Sequence, residues 1–173
     1  MSFVDPNQVL EQIELSPKMV AADFGSGSGG WTIPLAQRLN KGKVYAIDIR
    51  EEALSALENK AELAKVKNIK RILGDVEIVG GTKLSDSSCD LVLLTMLLFG
   101  VEDKDGVFRE AGRVLKREGK VLVVDWKPEA SLGPKDGRIS SEHVKRTAEA
   151  LGLYLEKELR AGDYHYALLF GKS

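Results

Sequence analysis

A chain of 173 residues, 43% apolar and 29% charged, has the composition of a soluble globular protein and the length for one domain with a buried core. Its formal net charge of -1 excludes a global attraction to nucleic acid, and its longest apolar stretch, residues 91–101, is far short of a bilayer span. A single cysteine, Cys89, excludes an internal disulfide or a thiolate metal cluster, so a cytoplasmic, metal-free protein is expected.

No basic segment followed by an apolar run opens the chain, so no signal peptide is expected. Asp5 and Pro6 mark the start of a short helix, the first as N-cap and the second at the first helical position. Val9, Leu10 and Ile13 supply its apolar face, and Ser16-Pro17 is expected to end it. Residues 1–17 then act as an N-terminal helical cover. Residues 19–24 read as the first strand and residues 31–39 as a helix that accepts Pro34 in its first turn, where amides lack partners. A second strand, residues 43–48, precedes a helix on which Leu54, Leu57, Ala61 and Ala64 recur at helical spacing.

Residues 68–73 form a third expected strand, and the polar, glycine-containing stretch 77–88 a loop. Residues 90–95 are almost wholly apolar, as suits a strand covered on both faces. Val107, Phe108, Ala111, Val114 and Leu115 define a helix closed around Gly119, and residues 120–125 a fifth strand. The prolines and glycines of residues 127–139 require a loop; Ser140 caps a last helix that Gly152 ends. Residues 154–159 and 164–170 read as a closing hairpin. Alternating strands and helices predict one α/β domain over residues 1–173. Its core is a doubly wound, mostly parallel seven-stranded sheet with helices on both faces and a C-terminal antiparallel hairpin.

The chemistry concentrates where the first strand runs into Asp23-Phe24-Gly25-Ser26-Gly27-Ser28-Gly29-Gly30. Glycines suit a sharp strand-to-helix turn whose backbone approaches a ligand. About 20 residues on, the second strand ends in Asp48, placed to accept hydrogen bonds from ribose hydroxyls. Gly25, Gly27 and Gly30 also satisfy G-x-G-x-x-G, which leaves a dinucleotide open. Asp23 would repel a pyrophosphate but suits a ligand's ammonium, directly or through water. Asp75, after the third strand, can accept from an adenine amino group.

An acid after each of the first three strands, joined to the alternating glycines, resembles the class I S-adenosylmethionine-dependent methyltransferases, and most closely their small type 11-like branch. The resemblance implies a sheet ordered 3-2-1-4-5-7-6 and S-adenosyl-L-methionine held by Asp23, Gly25, Ser26, Gly27, Gly29, Asp48, Ile49, Asp75, Val76 and Thr95. It also implies an acceptor pocket near Met96, Phe99 and Trp126, beside the loop 127–140. The expected activity is methyl transfer to a small molecule, by a monomer or homodimer. A protein or RNA acceptor, an NAD-dependent oxidoreductase and a non-catalytic nucleoside-binding module are the alternatives. No Asn/Asp-Pro-Pro-Tyr follows the fourth strand, which argues against methylation of an adenine or glutamine amide nitrogen. No general base stands out. His165 on the last strand reads as structural, and the lysines flanking the third strand as a charged sheet edge.

Overall fold

The computed structural model describes residues 3–173; the first two residues of the expected N-terminal cover lie outside them. Seven strands form one sheet in the order β3-β2-β1-β4-β5-β7-β6. They are β1 (Val20–Phe24), β2 (Lys43–Asp48), β3 (Ile69–Leu73), β4 (Cys89–Thr95), β5 (Leu115–Trp126), β6 (Leu153–Leu159) and β7 (His165–Lys172). The first five run parallel, and β7 is antiparallel to both β5 and β6. The helices are α1 (Pro6–Leu10), α2 (Thr32–Arg38), α3 (Glu51–Leu63), α4 (Lys104–Val114) and α5 (Ser141–Ala150).

Alternation along each strand sorts side chains to the two faces. Ala22, Phe24, Val92, Leu94, Val121 and Val123 meet Phe108 and Val114 of α4 and Val144 of α5. Ala21, Leu91, Leu93, Leu122 and Val124 meet Val9 and Leu10 of α1 and Leu35 of α2, while Leu54 and Leu57 of α3 cover Ala46. Because β1 has β2 on one side and β4 on the other, the chain changes winding direction there. The crevice beyond the carboxyl ends of these strands is where an open α/β sheet places a ligand.

Caps fix the helix boundaries. Asp5, Asp103 and Ser140 accept from Asn7 N, Gly106 N and His143 N at 2.9, 2.8 and 3.1 Å. Two long-range donors finish helices at the other end: Asn68 Nδ2 reaches the carbonyls of Ala36 and Leu39, and Lys172 Nζ those of Gly112 and Leu115.

Two boundaries differ from those expected. The first helix stops at Leu10 and residues 11–19 return to β1 in turns, with Met19 N donating to Ser16 O. The fourth helix stops at Val114, because Leu115 pairs with Cys89 and begins β5. The helical period claims Leu115, but its burial is in the sheet. Glu118, at φ +67°, lies in the irregular stretch before regular pairing resumes at Lys120. Among the described residues, no helix is long and apolar enough to cross a membrane.

Candidate functional site

Strand β1 ends in a turn stitched to its neighbour: Gly25 N and Ser26 N both donate to the Ile47 carbonyl, at 2.8 and 3.0 Å. Two glycines are needed sterically. Gly25 (φ +69°) and Gly29 (φ +100°), like Gly27 (φ +55°) between them, adopt the left-handed region, and at the first two an added Cβ would also come within 2.6 Å of Leu97 Cδ1 or 2.3 Å of Leu57 Cδ1. Gly30 has open space and an ordinary φ, so the third glycine of a dinucleotide pattern has no close packing to serve.

Asp48, 5% exposed, joins this turn to the start of α3. Its Oδ2 accepts from Gly27 N at 2.8 Å, and its Oδ1 from Arg50 N at 2.9 Å and Arg50 Nε at 3.3 Å. A carboxylate has about four lone-pair sites, so acceptor capacity remains towards the cleft that Asp48 lines. That cleft holds about 380 Å³. Ile49 and Arg50 border it after β2, and Asp75, Val76 and Glu77 after β3. Met96, Leu97 and Phe99 form its wall after β4. Asp75 Oδ1 accepts from Glu77 N at 2.9 Å, which shapes the bend after β3.

Seven of the expected site residues therefore meet at one cleft: Gly25, Asp48, Ile49, Asp75, Val76, Met96 and Phe99. The others lie deeper or to one side. Asp23 is fully buried beneath the turn and does not face the cleft; its Oδ2 accepts from Thr32 Oγ1 at 2.6 Å and its Oδ1 has no partner among the described residues. Burial pushes its carboxyl up to about 7; the Thr32 hydroxyl opposes the shift and the Asp48 charge adds to it. Ser26 Oγ is likewise buried without a partner. Thr95 is buried opposite Val124 in the sheet.

Trp126 is not a wall of this cleft. It is buried under the loop 127–140, with His165 across the strand pair at a ring separation of 4.2 Å. The Arg138 guanidinium sits 5.5 Å from its ring centre, and a Cβ on Gly133 would lie 2.6 Å from its ring carbons. Arg138 also ties the loop together by donating to the carbonyls of Lys127, Pro128, Ala130 and Leu132. His165 is buried as a structural residue would be, yet neither ring nitrogen has a partner among the described residues. Burial, then the charges of Lys127 and Arg138, hold its pKa below the usual histidine range.

Four residues of the site's frame escaped the sequence analysis. Arg50 pairs with Asp48, a contact that adjacency alone suggested. Glu77 Oε1 accepts from the amides of Glu102 and Asp103 at 2.8 and 2.7 Å, joining the bends after β3 and β4. Asp125, 1% exposed, accepts from Leu98 N. Glu110 accepts from Gly80 N, Thr82 N, Thr82 Oγ1 and Arg113, anchoring the far side of the 74–88 loop. Glu110 had a visible signal: it lies three residues after Val107 and four before Val114, on the apolar face of α4.

A parallel sheet with this switch point, a Cβ-free turn and a carboxylate at the end of the next strand defines a nucleoside-binding α/β protein. The family described as a methyltransferase domain matches residues 15–166, and the chain belongs to it. It is similar to a solved S-adenosylmethionine-dependent methyltransferase from Aquifex aeolicus, with 25% identity and a TM-score of 0.89 over 99% of this chain and 91% of that one. A demethylmenaquinone methyltransferase from Bacillus mycoides is 28% identical over 133 residues, which are 76% of this chain and 55% of that relative. The chain thus spans about half the length of the curated relatives it matches. The cyclase SpnF, at 14% identity and a TM-score of 0.83 over 96% of this chain and 79% of that one, shares the fold alone. Fold, family and cofactor are those of class I S-adenosylmethionine-dependent methyltransferases.

Proposed function

We propose that this chain, as one cofactor-binding domain, transfers a methyl group from S-adenosylmethionine to a small-molecule acceptor. The observation that carries the reading is the cleft in which the Gly25 turn and Asp48 face the apolar wall of Met96, Leu97 and Phe99. The residues fit the cofactor. Gly25 lines the cleft with backbone alone, and Leu97 packs against it from the bend after β4. Asp48 and Asp75 offer acceptors for ribose and adenine. The unpartnered Ser26 Oγ and Asp23 Oδ1 lie just beneath the turn, where a cationic amino-acid end would sit, with water as the intermediary for Asp23.

When bound, S-adenosylmethionine supplies a methyl group already activated by its sulfonium. The protein then has to align the acceptor and exclude water. Leu97 and Phe99 suit that task, since neither offers a polar side-chain atom that would hold solvent. Glu77, which lines the cleft, and Asp125, which holds the turn behind the wall, are engaged by backbone amides. This favours an acceptor that needs no strong base, such as an amine or a thiolate. The curated relatives named for demethylmenaquinone support a small-molecule acceptor.

S-adenosylhomocysteine is expected to stabilise the fold and NAD to leave it unchanged. At 100 times its dissociation constant, a ligand adds roughly 2.7 kcal/mol, a shift of several degrees in thermal unfolding. A shift with NAD and none with S-adenosylhomocysteine would overturn the assignment. Incubating cell extracts with methyl-labelled donor then identifies the acceptor.

On the acceptor side, Phe99→Ala should lower turnover while the donor dissociation constant stays within about threefold of the parent, because the lost ring aligns the acceptor rather than the nucleoside. Trp126→Ala should act through the loop it supports, combining a lower melting temperature with reduced turnover. Loss of donor binding in Phe99→Ala, or full turnover in both variants, would place the acceptor elsewhere.

A further inference from the structure

Resting on the cofactor reading above, we propose that Asp125 is a positioning residue: its buried carboxylate holds the 97–99 turn and thereby sets the wall that Met96, Leu97 and Phe99 present to the cleft.

The carboxylate sits at the end of β5, one strand away from β4. Its Oδ2 accepts from Leu98 N and its Oδ1 from Trp126 N, both at 2.8 Å. Leu98 begins a short 3-10 turn, Leu98–Gly100, whose first amides have no partner within the turn itself. Just before it, Met96 is held at φ +53°, a conformation that a side chain of its kind adopts only where its surroundings enforce it. Its amide is secured to the Val124 carbonyl at 2.7 Å. The turn is thus fastened from β5 by one backbone carbonyl and one carboxylate.

Its neighbours transmit that placement. The Leu97 side chain packs where a Cβ on Gly25 would be, so the bend after β4 leans on the glycine turn after β1. On the opposite side, an added Cβ at Gly137 would meet the Phe99 carbonyl at 1.9 Å, so the 127–140 loop abuts the same bend. Tyr166, opposite Asp125 in the β5–β7 register, donates to the Ile139 carbonyl at 3.0 Å. One cross-strand pair, Asp125 and Tyr166, therefore anchors both segments that meet at Phe99.

Asp125 has no cationic partner among the described residues, so backbone amides alone balance its charge. Burial pushes its carboxyl up to about 6, against the pull of the Trp126, Leu98, Phe99 and Leu97 amides. Tyr166 is the titratable side chain set against it from β7; its hydroxyl is driven up by burial and by Asp125, and stays protonated. The 97–99 turn faces Asp125 with amides, and the Tyr166 hydroxyl is committed to the Ile139 carbonyl. Protonating Asp125 turns one acceptor into a donor and releases an amide of the turn.

The test begins without a variant or a ligand. The amide resonances of Leu98 and Trp126 should titrate together with a midpoint of about 6 in the unmodified protein. In Asp125→Asn that titration should vanish, and S-adenosylhomocysteine should bind roughly tenfold more weakly at neutral pH because Leu97 of the loosened turn no longer braces the Gly25 turn, with cooperative unfolding retained. The parent's affinity should also fall as pH drops through this range, and the variant should lack that limb. Asp23, pushed up to about 7, adds a limb of its own common to both proteins, which cancels in their ratio. A Leu98 amide that does not titrate, or a variant whose affinity matches the parent's at every pH, overturns the proposal. A parent that fails to bind S-adenosylhomocysteine overturns the cofactor reading, whereas the Leu98 titration, read on the free protein, tests the hold of Asp125 on the turn by itself.

Discussion

Replacing Glu110 with alanine is expected to destabilise the protein by about 3 to 5 kcal/mol, because the buried Thr82 hydroxyl and the loop amides that donate to Glu110 are left without an acceptor, each at roughly 1 to 3 kcal/mol. Glu110 is completely buried on α4, and its carboxylate accepts from Gly80 N at 2.9 Å, Thr82 Oγ1 at 2.6 Å and Arg113 Nε at 2.7 Å. Arg113 would keep Asp86, at 2.6 Å, but Thr82 and the amides of the 74–88 loop would lose their acceptor. The loop carries Asp75, Val76 and Glu77, so cofactor affinity should fall with stability. For a chain of this size the melting temperature should drop by about 10 °C, measurable by circular dichroism. A loss under about 1 kcal/mol would mean that the loop is held by other contacts.

The same residue predicts a pH dependence. Burial alone would raise its carboxyl, but Arg113, Thr82 and the two loop amides hold it down to about 2 from an ordinary 4.5. A carboxyl depressed by folding adds stability that is complete above its unfolded value and lost as pH falls through its folded one. The loss should run from pH 4.5 towards about 2, and Glu110→Gln should remove it.

Asp48→Ala should weaken S-adenosylhomocysteine binding about 10- to 100-fold, corresponding to the 1.5 to 3 kcal/mol of hydrogen bonds to a charged group. The carboxylate also receives Gly27 N and Arg50 N, so alanine removes the tie between the glycine turn and α3 as well. Asp48→Asn separates the effects: an amide still accepts one backbone hydrogen bond but has lost charge and half its acceptor capacity. Calorimetric titration of both variants should rank parent, asparagine and alanine in order of falling affinity. Equal affinity in all three would make Asp48 a turn residue and no ligand.

What was legible in the chain depended on local rules. Residues 43–48 form the expected strand, with Val44 and Ile47 as its β-branched residues, and Asp5, Ser140 and Gly152 punctuate helices as their types suggest. The strand order followed from the resemblance and the closing hairpin. Depth was not legible. Asp23 is the penultimate residue of β1 and Asp48 the last of β2, yet Thr32 of α2 closes over the first while the second meets the cleft. Trp126 reaches the carboxyl end of β5 as expected, but whether an indole lines a pocket or supports a loop depends on Gly133 and Arg138, brought over it by the loop's own folding. Glu77 and Asp125, two carboxylates that position backbone, were silent because their partners are main-chain amides, which every residue but proline possesses.

The position of β7 bears on how the protein is made. It lies between β5 and β6, seven of its eight residues are buried, and Lys172 at its end closes α4, built some 60 positions earlier. A ribosome therefore releases β1 to β5 with one flank of the sheet unfinished and the last turn of α4 uncapped. During that interval the bare edge of β5, with Val121, Leu122, Val123 and Val124 in succession, is open to pairing with another nascent chain. Chaperone access before β7 emerges then bears on how much of the newly made chain reaches its native form, and a chain cut before β7 would be an aggregation-prone fragment.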